Sequence, residues 1–276
     1  MKPAASAAAA FTEDAETARL FALFVEIFRA GLAGTIAGIV IVGVGGRIVM
    51  RISAAINPMA AGAITESENV VGEVTIGGTI AFLIFGGMLT GFLLGIVWFL
   101  VRDWMPSWLP ARIGLAAALA VLGGGGGVID SGNIDFVLLD PPWLHVAMFL
   151  SLVALAGGAT AALDTFLAGR LPTGETASAI FGGLAALGLV LGLPFLFGFY
   201  FVPGAAQIGT PPWAAGLALG TVAIATCAGW VSFYRTGATT AAIDRAAWER
   251  VLGFGGVALF GLFGGLHLAG EIRGVV

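Results

Sequence analysis

Charged residues, cysteine and lysine are all scarce in this sequence, and each shortage excludes a class of protein. Charged residues make up 10% of the 276 residues, whereas a soluble domain carries about 25%. The single cysteine, Cys227, cannot form an internal disulfide or a cysteine-based metal site. The twelve lysine and arginine residues form no basic cluster, so we expect no nucleic-acid partner.

Motifs that carry common enzymatic chemistry are also missing. The sequence has no P-loop, no Gly-x-Ser-x-Gly nucleophile elbow and no His-Glu-x-x-His pair. Lys2 is the only lysine, so the last span cannot hold the Schiff-base lysine that a retinal protein of the rhodopsin type requires. These absences favour a protein that is not an enzyme.

Apolar residues dominate what is present: 59% of the chain is hydrophobic, and the mean hydropathy is +1.02. A bilayer core about 30 Å thick is crossed by about 20 apolar helical residues. Seven such runs predict an all-α, polytopic transmembrane bundle. Residues 1–18 are expected to form a mobile cytoplasmic tail, and residues 19–276 a single bundle domain. The predicted spans cover residues 20–49, 76–101, 112–128, 142–163, 177–201, 212–233 and 247–268.

The distribution of cations predicts the orientation. With a cytoplasmic N-terminus and an external C-terminus, nine of the twelve cations fall in the cytoplasm and three fall outside, as the positive-inside rule requires. Arginine outnumbers lysine eleven to one, and alanine and glycine are abundant, which is typical of a GC-rich bacterial genome. We therefore expect a multi-pass protein of the bacterial cytoplasmic (inner) membrane.

Charges near the predicted cytoplasmic ends of the spans suggest no buried site. Glu26 and Arg29 are three residues apart and share one helix face. Asp164 and the charges that follow it are interpreted as ordinary solvated loop residues. All sixteen acidic residues fall at span ends or in loops, which argues against a strongly coupled ion pump, because such pumps place a carboxylate near the midplane.

Glycines recur at four-residue spacing inside the spans. Small residues at this spacing let helix backbones approach closely. The stripes therefore predict close packing, either inside one bundle or across the face of a dimer. The main stripes consist of Gly34 and Gly38 in the first span, Gly87, Gly91 and Gly95 in the second, and Gly261 and Gly265 in the seventh.

Two arginines on the outer side break the charge trend. Arg47 and Arg51 are four residues apart on one helix face, and charges near hydrocarbon usually pair or face a cavity. The long connection after the first span carries three acidic candidates, Glu66, Glu68 and Glu73. We predict an ion pair within about 4 Å between an arginine and one of these glutamates. The alternatives are an anion site at the outer mouth and snorkelling to the interface.

The two histidines fall at similar depth on the outer side. His145 lies one turn inside the fourth span, and His267 lies near the end of the seventh, with Glu271 four residues later. Two facing imidazoles could ligate haem iron or, with carboxylates, hold a transition metal. A proton-linked role is a further alternative. The simpler interpretation is two polar side chains that are hydrogen-bonded at the interface, with no cofactor.

Two functional hypotheses of different classes remain. The first is an accessory or structural subunit of a membrane complex, whose partners besides the bilayer would be other membrane subunits or a second copy of the chain. The second is a small permease or channel for a neutral or hydrophobic solute. Haem or metal binding at the histidines is a third. A continuous cavity near the bilayer centre favours the permease, and a packed interior favours the subunit.

Overall fold

The chain folds as a bundle of seven long helices. The computed structural model describes residues 3–65, 70–172, 174–202, 212–236 and 245–276. Seven helices in these ranges are long and apolar enough to cross a membrane, which confirms the predicted all-α bundle. They are α1 (Pro3–Ala37, continued by a π-helix at Gly38–Val44 and an α-helix at Gly45–Ile56), α2 (Ile76–Ala81, a π-helix at Phe82–Leu89, and Thr90–Val101), α3 (Leu109–Gly124), α4 (Pro142–Leu167), α5 (Glu175–Phe201), α6 (Trp213–Thr236) and α7 (Ala247–Val275).

The helices extend beyond several of the predicted spans. α1 runs on to Ile56 instead of ending at residue 49, because its last turns are amphipathic and hydropathy alone underestimates them. α7 continues to Val275 instead of residue 268. The backbone is already helical from Pro3 onward, and the mobility assigned to residues 1–18 stays a prediction.

Consecutive helices run in opposite directions, so the end of one helix and the start of the next lie at the same end of the bundle. We call one the Asp164 end; it holds the last turn of α4 and the first turns of α3 and α7. The other is the His145 end, with the last turn of α7 and the first turn of α4. The cation distribution predicts that the Asp164 end faces the cytoplasm.

Glycines form the contact between α1 and α2. A β-carbon at Gly34 would clash with the backbone of Gly91 and Gly95, and one at Gly38 would clash with the backbone of Gly87 and Gly91. The two helix backbones therefore touch directly, in the manner expected of small residues at four-residue spacing. All five of these glycines are used for packing within one chain.

The glycine contact of α7 lies on a different residue from the predicted one. A β-carbon at Gly264 would clash with the carbonyl of Leu122 and lie 2.9 Å from the Cα of Gly123. Gly261 and Gly265 instead face the side chain of Leu122, 3.6 and 3.0 Å from the position of a β-carbon. The backbone-to-backbone contact between α7 and α3 therefore belongs to Gly264, which the four-residue spacing did not select.

A compact connection joins α1 to α2. It contains a short 3-10 turn at Pro58–Ala60 and a single β-bridge between Ile64 and Val70. The Thr75 hydroxyl accepts a hydrogen bond from the Gly78 amide at 3.1 Å and caps the start of α2. The connection therefore has local structure of its own.

Candidate functional site: a central cavity and a buried ionic cluster

A cavity of about 310 Å³ lies inside the bundle. Residues of α1, α2, α3, α4, α5 and α7 line it, so six of the seven helices contribute to one space, which is partly open. Small residues create the space, because they leave room where larger side chains would fill the bundle. Those on α3 and α4 are Ala116, Ala120, Gly123, Gly124, Ala156 and Gly157.

The cavity is long and follows the helix axes. Its lining on α3 runs from Ala116 to the end of the helix and on to Val128. At 1.5 Å per residue this is about 18 Å, more than half of a bilayer core about 30 Å thick. The cavity therefore extends through the middle of the region that the helices would place in hydrocarbon.

Almost all of the lining is apolar, and its few polar side chains are already hydrogen-bonded. The Thr160 hydroxyl donates to the Ala156 carbonyl at 2.8 Å, and the Tyr200 hydroxyl donates to the Gly123 carbonyl at 3.0 Å. Thr90 donates to the carbonyl of Phe85 at 3.3 Å. A molecule in the cavity therefore meets mainly hydrocarbon.

Trp98 connects the cavity to a buried carboxylate. Its ring lines the cavity, and its indole N–H donates to Oδ2 of Asp164 at 3.0 Å. Thr160, another lining residue, lies one helical turn before Asp164 on α4. The cavity therefore ends, at the Asp164 end, on an ionic cluster.

Asp164 is the centre of this cluster, and only 2% of it is exposed. Oδ1 of Asp164 accepts from Nε of Arg29 at 2.8 Å and from a terminal nitrogen of Arg102 at 3.1 Å. Burying a charge is costly unless it is paired and hydrogen-bonded. Two guanidinium groups and one indole satisfy that requirement.

Glu26 completes the cluster on its more exposed side. One of its oxygens lies 2.6 Å from Arg29, and the other lies 2.5 Å from Arg102. The four charges alternate in sign and join α1, the end of α2 and α4. Arg112 of α3 adds a further contact, since it donates to the carbonyl of Arg102 at 3.2 Å and its guanidinium carbon lies 5.2 Å from the centre of the Trp98 ring.

The interpretation of Asp164 as a solvated loop charge is therefore wrong, and so is the conclusion that the charges suggest no buried site. Asp164 lies inside α4, not in a loop, and its partners come from α1 and α2. A signal was present in the sequence: Gly157, Thr160, Ala161 and Asp164 follow a helical spacing on one face. A face of small and polar residues in an apolar helix points inward.

At the His145 end, the two unusual arginines contact backbone carbonyls. Arg47 donates to the carbonyl of Gly78, and its guanidinium carbon lies 5.0 Å from the centre of the Phe82 ring. Arg51 donates to the carbonyl of Gly72 at 3.2 Å. Each arginine thus ties the end of α1 to the start of α2 or to the chain before it.

The predicted ion pair is not formed with the one described candidate. Within the described ranges, no ion pair joins Glu73 to either arginine, because both guanidinium groups bind backbone oxygens near the start of α2. Glu66 and Glu68 lie outside the described residues. Sequence could not reveal the carbonyl partners, since every residue carries the same backbone acceptor.

His145 is fully buried. Its Nδ1 lies 3.0 Å from the carbonyl oxygen of Pro141, so Nδ1–H donates and Nε2 is left as an acceptor. Nε2 has no hydrogen-bond partner among the described residues. His145 is therefore a helix-end residue bound to its own first turn, and one of its two nitrogens is already occupied.

His267 belongs to a separate group with Glu271 and Ser131. Glu271 is 2% exposed, and its Oε2 accepts from the Ser131 amide at 2.8 Å and from the Ser131 hydroxyl at 2.7 Å. Nδ1 of His267 lies 3.8 Å from the other oxygen of Glu271. The carboxylate thus fixes the loop after α3 onto the end of α7.

No three metal-binding side chains converge in the described part of the chain. His267 and Glu271 supply two groups, and the Ser131 hydroxyl and amide already occupy one oxygen of the carboxylate. The haem or metal hypothesis for His145, His267 and Glu271 stays a prediction.

Comparison of the chain with family models, with curated proteins and with solved structures finds no match. The cavity and the ionic cluster are the features of this chain that indicate a function.

Proposed function

We propose that the protein is a multi-pass membrane carrier or permease that takes a neutral or hydrophobic molecule into the central cavity. The observation that carries this proposal is the cavity itself, which six helices line and which has about 310 Å³ of space. Small-molecule sites commonly occupy cavities of about 300 to 1,000 Å³ with mainly apolar walls.

The position of the ionic cluster suggests from which end of the bundle the molecule enters the cavity. Its four charges lie at one end of the cavity, where they pin three helices together and oppose passage of a hydrophobic molecule. The His145 end has no equivalent network in the described residues. The molecule would therefore enter from the His145 end or from the bilayer, and release at the Asp164 end would require the cluster to open.

The accessory-subunit hypothesis loses one of its supports. It relied on glycine stripes that could form a seam with another subunit, and five of these glycines are buried against each other between α1 and α2. Partnership with other membrane subunits or with a second copy stays a prediction. The bacterial cytoplasmic membrane, with the Asp164 end in the cytoplasm, is part of the proposal and depends on the composition and charge of the sequence.

The proposal is tested by analysing what co-purifies with the full chain. Val153 lines the cavity on α4, and Leu155, on the same helix, is 60% exposed on the outer surface of the bundle. Val153→Trp places an indole ring in the cavity and obstructs it, whereas Leu155→Trp adds the same side chain on the outside. Each variant and the unmodified protein are purified in mild detergent, extracted with organic solvent and analysed by mass spectrometry.

In the unmodified chain and in Leu155→Trp, we expect about one neutral or hydrophobic molecule per protein chain. In Val153→Trp, we expect at least fivefold less of that molecule per chain. Equal amounts in all three proteins, or no bound molecule in any, would overturn the proposal. Leu196→Trp places the same bulk in the cavity from α5 and replaces Val153→Trp if that variant does not fold.

A further inference from the structure

The hydrogen-bonding groups of the cavity wall restrict the chemistry of its occupant. Four lining residues carry a side-chain donor: Thr90, Trp98, Thr160 and Tyr200. Each donates to a protein acceptor, which is Asp164 for the indole and a backbone carbonyl for the three hydroxyls. No side-chain donor in this wall is free for a ligand, and every lining residue belongs to the described part of the chain.

A polar ligand would therefore lose hydrogen bonds on entering. An unpaired buried hydroxyl or carbonyl costs the full desolvation of that group, and this wall offers no donor in return. The three hydroxyl oxygens can still accept a hydrogen bond, but no other lining side chain has an oxygen, so a solute with several polar groups finds too few partners. The wall selects against solutes such as polyols, amides and sugars.

The shape of the cavity adds a second restriction. Its volume is about 310 Å³, roughly twice that of an engineered apolar cavity of about 150 Å³ that binds benzene. That volume is spread over about 18 Å of helix length, measured from Ala116 to Val128 at 1.5 Å per residue. A compact ring would leave most of this length empty, whereas a linear chain would fill it.

From the wall and the shape together, we infer that the occupant is a linear hydrocarbon chain, of the kind found in lipid acyl or isoprenoid tails, held without hydrogen bonds. The inference depends on the proposed function, because it names the class of molecule that the same cavity takes.

The inference is tested with two photoreactive probes of the same length. One is dodecane with a diazirine near its middle, and the other is the corresponding 1,12-diol. Each probe is added to the purified full chain in detergent and irradiated, and its adducts are mapped by peptide mass spectrometry. The measured quantity is the ratio of adducts on cavity residues Leu93, Leu94 and Leu196 to adducts on exposed Leu155, which corrects for the partitioning of each probe.

We expect the ratio to be at least tenfold higher for the hydrocarbon than for the diol, since the wall has no free side-chain donor for the hydroxyl oxygens of the diol. Val153→Trp should lower the hydrocarbon ratio to the value of a surface residue, and Leu187→Trp, at an exposed position of α5, should leave the ratio unchanged. Equal ratios for the two probes, or a higher ratio for the diol, would overturn the inference.

The two failures are distinguishable. If the diol labels the cavity better and Val153→Trp abolishes that labelling, the cavity takes a molecule but not a hydrocarbon chain, and only the inference fails. If neither probe labels the cavity and no molecule co-purifies, the proposed function fails as well.

Discussion

The two ends of the bundle satisfy their buried polar groups in different ways. At the Asp164 end, a carboxylate and two guanidinium groups pair directly across three helices. At the His145 end, Ser53 Oγ, His145 Nε2 and His267 Nδ1 are buried without a hydrogen bond to any described residue. Mutually paired groups fix a structure, whereas a buried group without a partner favours any rearrangement that pairs it. The Asp164 end is therefore the fixed base of the bundle, and the His145 end is its adaptable mouth.

The Asp164 end also contains two buried nitrogens without a hydrogen bond, but both belong to arginines that stack on tryptophan rings. Nε of Arg112 and one terminal nitrogen of Arg245 have no hydrogen-bond partner among the described residues. The guanidinium of Arg112 stacks on Trp98, and that of Arg245 lies 4.4 Å from the centre of the Trp104 ring. Cation–π contacts of this kind restrain both arginines.

The largest effect is expected in an accessibility experiment that shows which end of the bundle faces the outside of the cell. In a Cys227→Ala background, Glu73→Cys places a thiol near the His145 end and Ser107→Cys places one near the Asp164 end. An impermeant maleimide applied to intact cells should label only Glu73→Cys, because the cation distribution puts the Asp164 end in the cytoplasm. Ser107→Cys should react after the membrane is opened. The reverse pattern would invert the orientation.

The next effect is on stability at the base. Asp164→Asn keeps the shape of the side chain but leaves Arg29 and Arg102 without their central carboxylate. Breaking a buried pair on one side is strongly destabilising, and we expect the free energy of unfolding to fall by about 3 kcal/mol. Denaturant titration in detergent micelles measures it.

Asp103→Asn is the matched control for this change. It breaks the more exposed pair with Arg245 at the same end and should cost less than about 1 kcal/mol. If both variants lost the same stability, the Asp164 cluster would not be the point that fixes the base.

A smaller effect is expected at the mouth. Glu271→Leu removes the acceptor of the Ser131 amide and hydroxyl, and an unpaired buried amide costs about 1 to 3 kcal/mol. We expect a loss in this range by the same titration, together with faster proteolysis of the loop after α3. Arg51→Ala, at an exposed position of the same end, should change stability by no more than about 0.5 kcal/mol. A loss in Glu271→Leu larger than that of Asp164→Asn would reverse the comparison.

Hydropathy predicts the seven helices, because each span is a local run of apolar residues and needs no partner to be recognised. The glycine contact of α1 and α2 follows from the same local spacing. The ionic cluster is different, since Glu26 and Arg102 are 76 residues apart and Arg29 and Asp164 are 135 residues apart. Only the packing of α1, α2 and α4 brings these groups together. The cavity is likewise a property of six helices at once.

The facing π-helices of α1 and α2 lie where the base meets the mouth. One covers Gly38–Val44 and the other Phe82–Leu89, and Val42 and Thr90, in or next to them, line the cavity. A π-helical turn holds one residue more than an α-helical turn, so its return to α geometry turns everything beyond it by about 100°. Each helix thus turns a different face toward its neighbours beyond the cavity than an uninterrupted α-helix would. Arg47, which packs on the Phe82 ring, lies beyond the π-helix of α1 and owes its position to this turn.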